Sequence, residues 1–209
     1  MMNSAKAPST VIIDSFYLPP VALLRHLHSA ASILINTEVK FAKSGWHNRC
    51  KIAGPNGPLL LTVPVTGGRG IKKPLKEVCI SYEERWQQIH WGSICAAYRK
   101  SSYFEFYEYL FRPYYEQRFD LLTELNDGLL KAVLQALTFN GSINQANLVE
   151  TTIFAGIEDV AMNPATILNQ RPYHQVFQHR HGFLPGLSII DLIFNEGPAA
   201  RAYLSAVSQ

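Results

Sequence analysis

A β-α-β start is encoded by residues 11–36, VIIDSFYLPPVALLRHLHSAASILIN. The apolar run Val11–Asp14 predicts a short buried strand, and Ser32–Asn36, which is bounded by polar residues, predicts a second one. Between them, Tyr17–Pro20 is a turn whose prolines favour the start of a helix, because proline in the first turn gives up no needed hydrogen-bond donor. We expect that helix to run from Val21 to His28.

A β-hairpin is predicted next. Asn56-Gly57 is a dipeptide favoured in hairpin turns, and it separates Trp46–Ile52 from the apolar run Leu59–Val65. Residues two apart on a strand share a side, so Arg49 and Lys51 should lie on one face of the hairpin. Beyond it, Glu77–Ser81 and Asn147–Val149 are predicted as further strands.

The second half of the chain is predicted to be mainly helical. After Tyr82, residues recur at the three- and four-residue spacing that places them on one face of a helix. They are Trp86, Ile89, His90, Ile94, Ala97 and Tyr98. We expect further helices within Tyr103–Phe119, with a break at Pro113, across Asp120–Leu137, ended by Gly141–Asn144, and from Ser188. The fold class is therefore α/β (or α+β), with a polar leader at residues 1–10 and a single domain at residues 11–209.

Composition excludes several classes of protein. The chain has 209 residues, of which 47% are hydrophobic and 17% charged, and this balance excludes a disordered chain or a coiled coil. A net charge of +3 is too small for a large phosphate footprint, so we expect no nucleic-acid partner. The polar leader and the lack of a long apolar run predict neither a signal peptide nor membrane insertion. Cys50, Cys79 and Cys95 form no CxxC pair, which fits a reducing compartment, and we expect a cytoplasmic protein.

Three stretches together resemble the WbqC-like family, a bacterial group associated with gene clusters for surface polysaccharide such as O-antigen. They are Tyr17–Pro20, then Trp46-His47-Asn48-Arg49-Cys50-Lys51-Ile52 through Pro55-Asn56-Gly57-Pro58 to Leu61–Val65, and finally Tyr173–Phe177 with Phe183–Gly197. Two positions depart from the family pattern. Ser15-Phe16 stands where many members have Gln-Pro, and some members carry another residue in place of Cys50.

The resemblance implies an enzyme of bacterial surface-polysaccharide biosynthesis that transfers an acyl or aminoacyl group to an amino-sugar or nucleotide-sugar. An ATP-using amide-forming enzyme is a variant of this hypothesis. The partner would be a small molecule, a nucleotide-sugar or acyl donor, while the cofactor and the oligomeric state stay open. The alternative is a non-enzymatic sugar-binding or assembly module that uses the aromatic stretch Tyr103–Phe111.

His90, Cys50 and His47 are the candidate catalytic residues. Cys50 lies close to His47 and Asn48, and an imidazole lowers the pKa of a thiol, but on a strand His47 and Cys50 point to opposite faces. A small core residue is therefore the alternative for Cys50. His90 is the candidate general base because its ordinary pKa lies near neutrality, and the alternative is a core histidine with both ring nitrogens hydrogen-bonded.

The candidate substrate-binding residues are Asn48, Arg49, Tyr17, Tyr98, His174, Gln175 and Asp191. The Arg49 guanidinium suits a phosphate or carboxylate, and its alternative role is a buried salt bridge to Asp191 or Glu196. Ser188 and Asp191 also have the spacing of a helix capping box. We expect His90 and Arg49 to meet in one pocket with part of Tyr173–Asp191.

Two weaker patterns carry less weight. Gly67–Lys73 is glycine-rich and basic but lacks the ending of a P-loop, so a solvated surface loop is the alternative. His174, His179 and His181 lie close in sequence without a carboxylate or cysteine at a recognisable spacing, and we predict no metal site.

Overall fold

A parallel sheet of three strands carries the β-α-β start in the computed structural model, which describes residues 10–27, 30–42, 45–67, 72–146 and 170–206. The strands are β1 (Thr10–Asp14), β2 (Ser32–Asn36) and β5 (Ser142–Ala146), and β2 lies in the centre. Helix α1 (Val21–Leu27) connects β1 to β2. The start predicted from sequence is confirmed, whereas the strand predicted at residues 147–149 lies outside the described residues.

The hairpin consists of β3 (Arg49–Gly54) and β4 (Gly57–Thr62). Gly54 pairs with Gly57, so the turn residues are Pro55 and Asn56, one position earlier than predicted. Gly57 has a φ of +109°, a conformation that favours glycine. Cys50 and Ile52 are buried, Arg49 is half-buried and Lys51 is exposed, so the alternation puts Arg49 and Lys51 on one face, as predicted.

The helices that follow are α2 (Trp86–Tyr98), α3 (Phe104–Phe111), α4 (Pro113–Glu116), α5 (Leu122–Ala136), α6 (Gln178–His181), α7 (Ile189–Glu196) and α8 (Ala199–Ser205). Pro113 occupies the first position of α4, which accounts for the predicted break. The mainly helical second half is thus confirmed. The predicted final helix is divided at Gly197, which has a φ of +52°.

Three local predictions are wrong. Glu77–Ser81 is not a strand: a 3₁₀ turn covers Leu75–Glu77, and Cys79 and Ile80 then form isolated bridges to two different segments, so no ladder extends. Gly141–Asn144 does not merely end a helix, because Ser142–Ala146 adds to the sheet beside β2. Ile89 is 57% exposed, although its spacing predicts that it shares one face of α2 with Trp86 and His90, which are buried.

One cluster of buried apolar side chains joins the sheet, the hairpin and the helices. Its largest fully buried members are Tyr17, Tyr98, Phe104, Phe111 and Phe194. Phe194 of α7 contacts the rings of Tyr98, Phe104 and Phe111 at centroid distances of 5.1–5.5 Å. Within the described ranges, the search for a helix with the length and apolarity of a membrane span finds none.

Candidate functional site

Polar side chains gather at the carboxyl edge of the parallel sheet. Strands β1 and β2 end at Asp14 and Asn36, which are register partners, and β5 ends beside them at Ala146. In open sheets of parallel strands, ligands bind outside this edge. This edge is therefore a candidate ligand-binding site.

His47 lies against Asp14 at this edge. Its Nε2 is 3.5 Å from Asp14 Oδ2, and its Nδ1 accepts a hydrogen bond from the Ala42 backbone N–H at 3.3 Å. Because Nδ1 accepts, the neutral ring carries its proton on Nε2 and directs it at the carboxylate. The rings of Phe16 and Phe41 pack on His47 at 5.6 and 6.1 Å and fix its orientation.

Helix α5 contributes two polar residues to the same place. Asn126 donates from Nδ2 to the His47 carbonyl oxygen at 2.8 Å. The Asp127 carboxylate accepts from Ser15 Oγ at 3.4 Å and from Gln145 Nε2 at 2.5 Å. Burial raises the pKa of Asp127. These bonds connect α5 to β5, to the end of β1 and to the segment that carries His47.

Three buried amide groups, one at this edge and two on or beside the segment that carries His47, each have a hydrogen-bond partner at only one of their two polar atoms. Asn48 donates to the Val63 carbonyl and Asn36 accepts from the Glu38 N–H, yet Asn48 Oδ1, Asn36 Nδ2 and Asn126 Oδ1 have no hydrogen-bond partner among the described residues. An unpaired buried polar atom costs about 1–3 kcal/mol, so a ligand or water that pairs with it offsets a real cost. We call this group the carboxyl-edge site; it consists of Asp14, Ser15, Asn36, His47, Asn48, Asn126, Asp127 and Gln145.

His90 belongs to a different, interior network. Its Nδ1 is 2.8 Å from the Tyr17 hydroxyl, which is 2.9 Å from the Tyr115 hydroxyl. The other ring nitrogen donates to the Thr62 carbonyl, so the neutral ring accepts from Tyr17, and Tyr17 accepts from Tyr115. Burial lowers the pKa of His90 to about 4. This is the arrangement of the core alternative, with both ring nitrogens hydrogen-bonded.

Cys50 is fully buried beside the same tyrosines. Burial raises the pKa of its thiol well above the ordinary value, and its charged form would also interact with Tyr17 and Tyr115. A buried thiol with a raised pKa stays protonated and is a poor nucleophile. Cys79 is exposed, Cys95 is half-buried, and all three cysteines are free thiols.

Asp191 is the centre of a third network. Its Oδ2 accepts from the Tyr173 hydroxyl at 2.7 Å and from Gln175 Nε2 at 3.1 Å. Burial raises the pKa of Asp191 to about 6, although hydrogen bonds from Tyr173, Tyr98 and Gln175 act in the opposite direction. The Tyr98 hydroxyl also accepts from the Ala53 N–H at 3.0 Å. Two predicted binding residues, Tyr98 and Gln175, therefore contact a third, Asp191, inside the protein.

The capping box predicted from Ser188 and Asp191 at the start of α7 forms only in part. Ser188 caps α7 by accepting from the Ile190 N–H. The capping box is not closed by Asp191, because its carboxylate faces the partners above and the Ser188 N–H donates to the Lys51 carbonyl at 2.7 Å instead. His174, another predicted binding residue, donates from its backbone N–H to Glu196 Oε1 at 3.0 Å.

Arg49 forms neither predicted salt bridge, to Asp191 or to Glu196, within the ranges the structure describes. Its Nε is buried without a hydrogen-bond partner there. Strand alternation places its side chain on the face of β3 opposite Cys50.

The pocket that His90 and Arg49 were expected to share stays a prediction. Both residues border Thr62, since Arg49 is its ladder partner and His90 binds its carbonyl. Their side chains nevertheless lie on opposite sides of β3, because Cys50 and His90 share the tyrosine-lined interior while Arg49 faces away from it.

Most of the carboxyl-edge site was missed from sequence; His47 and Asn48 were the members proposed. A signal was present for Asp14 and Asn36, because each is the polar residue that directly ends an apolar strand. Asn126 and Asp127 were also visible as polar residues at buried positions of an otherwise apolar helix face.

This fold and site define an α/β protein with a polar, largely buried site at the carboxyl edge of a parallel sheet. The chain belongs to the WbqC-like protein family, whose model matches residues 14–153. The match contains the whole carboxyl-edge site, whereas Tyr173–Gly197 lies beyond it.

A relative is found in Mycobacterium tuberculosis, where an uncharacterized protein is 25% identical over 222 residues, covering 92% of this chain and 96% of that protein. No solved structure matches the chain.

Proposed function

We propose that the protein is an enzyme of bacterial surface-polysaccharide biosynthesis that transfers an acyl or aminoacyl group to the amine of an amino-sugar, free or nucleotide-linked. Family membership supports the pathway, through the association with surface-polysaccharide gene clusters noted above. The observation that carries the chemistry is the Asp14–His47 pair, bordered by unpaired amide groups at the carboxyl edge of the sheet.

The site offers more acceptors than donors. Asn48 and Asn126 each present an unpaired oxygen, and Asp14 and Asp127 add carboxylates, against the unpaired Nδ2 of Asn36. A ligand that pairs with these groups must supply N–H and O–H donors, as an amine and sugar hydroxyls do. Two carboxylates disfavour an anion, so a nucleotide-sugar would direct its amino-sugar, and not its diphosphate, into this site.

In the proposed reaction Asp14 acts as the general base and then as the general acid. The sugar nitrogen attacks the acyl carbon, a C–N bond forms, and the bond from that carbon to the donor's leaving group breaks. The nitrogen becomes acidic as it forms that bond, and Asp14 accepts its proton and passes it to the leaving group. His47, with its Nε2–H directed at Asp14 and its ring packed between two phenylalanines, holds the carboxylate in position.

Asp14→Asn tests the proposal. The purified protein would be incubated with glucosamine or a nucleotide-linked amino-sugar, together with an acyl thioester or with ATP and amino acids, and the acylated sugar detected by mass spectrometry. We expect Asp14→Asn to lower kcat by about 10²-fold or more, the range for loss of a positioned acid or base. Glu105→Gln, a matched carboxylate-to-amide change on the exposed surface of α3, should leave kcat unchanged.

Turnover that survives Asp14→Asn in a folded variant would contradict the assigned role. Saturable sugar binding by the wild-type protein with no product from any donor would instead favour the alternative function, a non-enzymatic sugar-binding module.

A further inference from the structure

A concave surface lies between the N-terminal part of α2 and α4, and it shares no residue with the carboxyl-edge site. Its volume is about 560 Å³, within the roughly 300–1,000 Å³ typical of small-molecule sites. We propose that this cleft binds a neutral sugar ring. The proposal does not depend on acyl transfer, and it would hold for a binding module as well.

Aromatic side chains line the cleft. Trp91 is half-buried and stacks on Tyr115 and Phe104 with ring centroids 5.5 and 6.1 Å away. Trp86 and Tyr115 are almost completely buried and meet edge-on at 6.5 Å. Tyr82 lies beside Trp86 at 6.0 Å. Tyrosine and tryptophan combine a large apolar surface with a polar tip, which suits the mixed C–H and O–H surface of a sugar. The indole N–H of Trp86 has no acceptor within the described ranges.

The charges around the cleft cancel. Arg85 and Arg118 carry two positive charges, and Glu84 and Glu116 carry two negative ones. Glu116 also pairs with Arg112 through Oε1 at 2.6 Å, on the exposed side of α4. A nucleoside diphosphate would need a surplus of positive charge, which these residues do not provide. Guanidinium and carboxylate groups can instead donate to and accept from adjacent hydroxyls of an uncharged ring.

Tyr115, which lines the cleft, is hydrogen-bonded to the interior network of Tyr17 and His90. The hydroxyl of Tyr115 is 2.9 Å from that of Tyr17, and the backbone N–H of Tyr17 donates to the Trp46 carbonyl, next to His47. The side chains of Tyr115 and Tyr17 therefore connect the cleft to the segment that carries His47.

The three tryptophans of the chain make the proposal testable by NMR. The ¹⁵N-labelled full chain would be titrated with N-acetylglucosamine, with methyl glucoside and with UDP, while the indole N–H signals are followed. We expect both sugars to shift the Trp86 and Trp91 signals along one saturable curve. Trp46 packs under Lys51 on the hairpin, and its signal should not move.

Variants separate this result from non-specific effects. Trp91→Ala should weaken sugar binding at least tenfold, and Arg85→Ala, an exposed change at the rim, should weaken it several-fold even if the tryptophan variant fails to fold. Lys100→Ala, an exposed cation beyond the end of α2, is the matched control and should bind as the wild type does.

Glu105→Gln should also bind as the wild type does, and the titration measures no acyl transfer, so failure of the acyl-transfer proposal leaves this one testable. Lack of a saturable shift with either sugar, an equal shift of Trp46, or a stronger response to UDP than to the sugars would overturn it.

Discussion

Acid should destabilise the folded chain through His90. Burial lowers the pKa of this imidazole to about 4, against about 6.5 in an unfolded chain. Between these values the unfolded state binds the proton and the folded state does not, so the free energy of unfolding falls as pH falls. A difference of about 2.5 pKa units, at about 1.4 kcal/mol each, gives about 3 kcal/mol lost between pH 7 and pH 4.

The hydrogen bonds explain why the folded state resists protonation. His90 accepts from Tyr17 through Nδ1 and donates to the Thr62 carbonyl through the other nitrogen. An imidazolium has two donors and no acceptor, so it would break the bond from Tyr17 and leave a charge in the core. A base with so low a pKa is also weak near neutral pH, which counts against His90 as the general base.

Urea denaturation of wild type and His90→Gln at several pH values between 4 and 7.5 measures this effect. Glutamine can accept from Tyr17 and donate to Thr62 but does not titrate, so the other ionisable groups contribute equally to both proteins. The stability of wild type relative to His90→Gln should fall by about 3 kcal/mol between pH 7 and pH 4. A difference that stays constant across this range would refute the reasoning and indicate a histidine with an ordinary pKa.

Asp191 should show the opposite pH dependence. Burial raises its folded pKa to about 6, against about 3.9 in an unfolded chain. Its contribution to the free energy of unfolding is therefore fully present below about pH 4 and is lost as pH rises through 6. Asp191→Asn should gain about 2 kcal/mol of stability relative to wild type between pH 4 and pH 7 in the same assay. A constant difference would contradict it. Iodoacetamide followed by peptide mass spectrometry should label Cys79 in the native protein and leave Cys50 unlabelled until denaturant is added, because the Cys50 thiol is buried with a raised pKa. Rapid native labelling of Cys50 would restore it as a candidate nucleophile.

Local patterns were sufficient for elements whose own sequence determines their pairing. Val11–Asp14 and Ser32–Asn36 are short apolar runs joined by one helix, so they lie side by side as parallel strands. The proline at position 113 separates two helices for a purely local reason.

Elements that depend on distant partners could not be predicted in the same way. Ser142–Ala146 is polar at three of its five positions, Ser142, Asn144 and Gln145, and it becomes a strand because β2 offers it an unpaired edge. Conversely, Glu77–Ser81 has an apolar centre but meets different neighbours at Cys79 and Ile80, so it forms bridges and no ladder.

The candidate site was predicted less well than the fold, because residue type alone does not report burial. Cysteine and histidine drew attention to Cys50 and His90, yet the structure places both in the interior. Asp14 and Asn36 are common residue types, and their importance follows from position at the ends of parallel strands. His47 was proposed as a partner of Cys50, whereas its ring faces Asp14.

The carboxyl edge and the network of His90 differ in how completely their hydrogen bonds are formed. In the interior network every polar atom of Tyr115, Tyr17 and His90 has a partner, so the folded protein needs nothing further there. At the carboxyl edge, Asn36, Asn48 and Asn126 each leave one buried atom unpaired. At about 1–3 kcal/mol apiece, three such atoms are a large cost beside a total stability of about 5–15 kcal/mol. A polar ligand that pairs with these atoms beside Asp14 and His47 would offset that cost, and this is the physical basis of the binding proposed there.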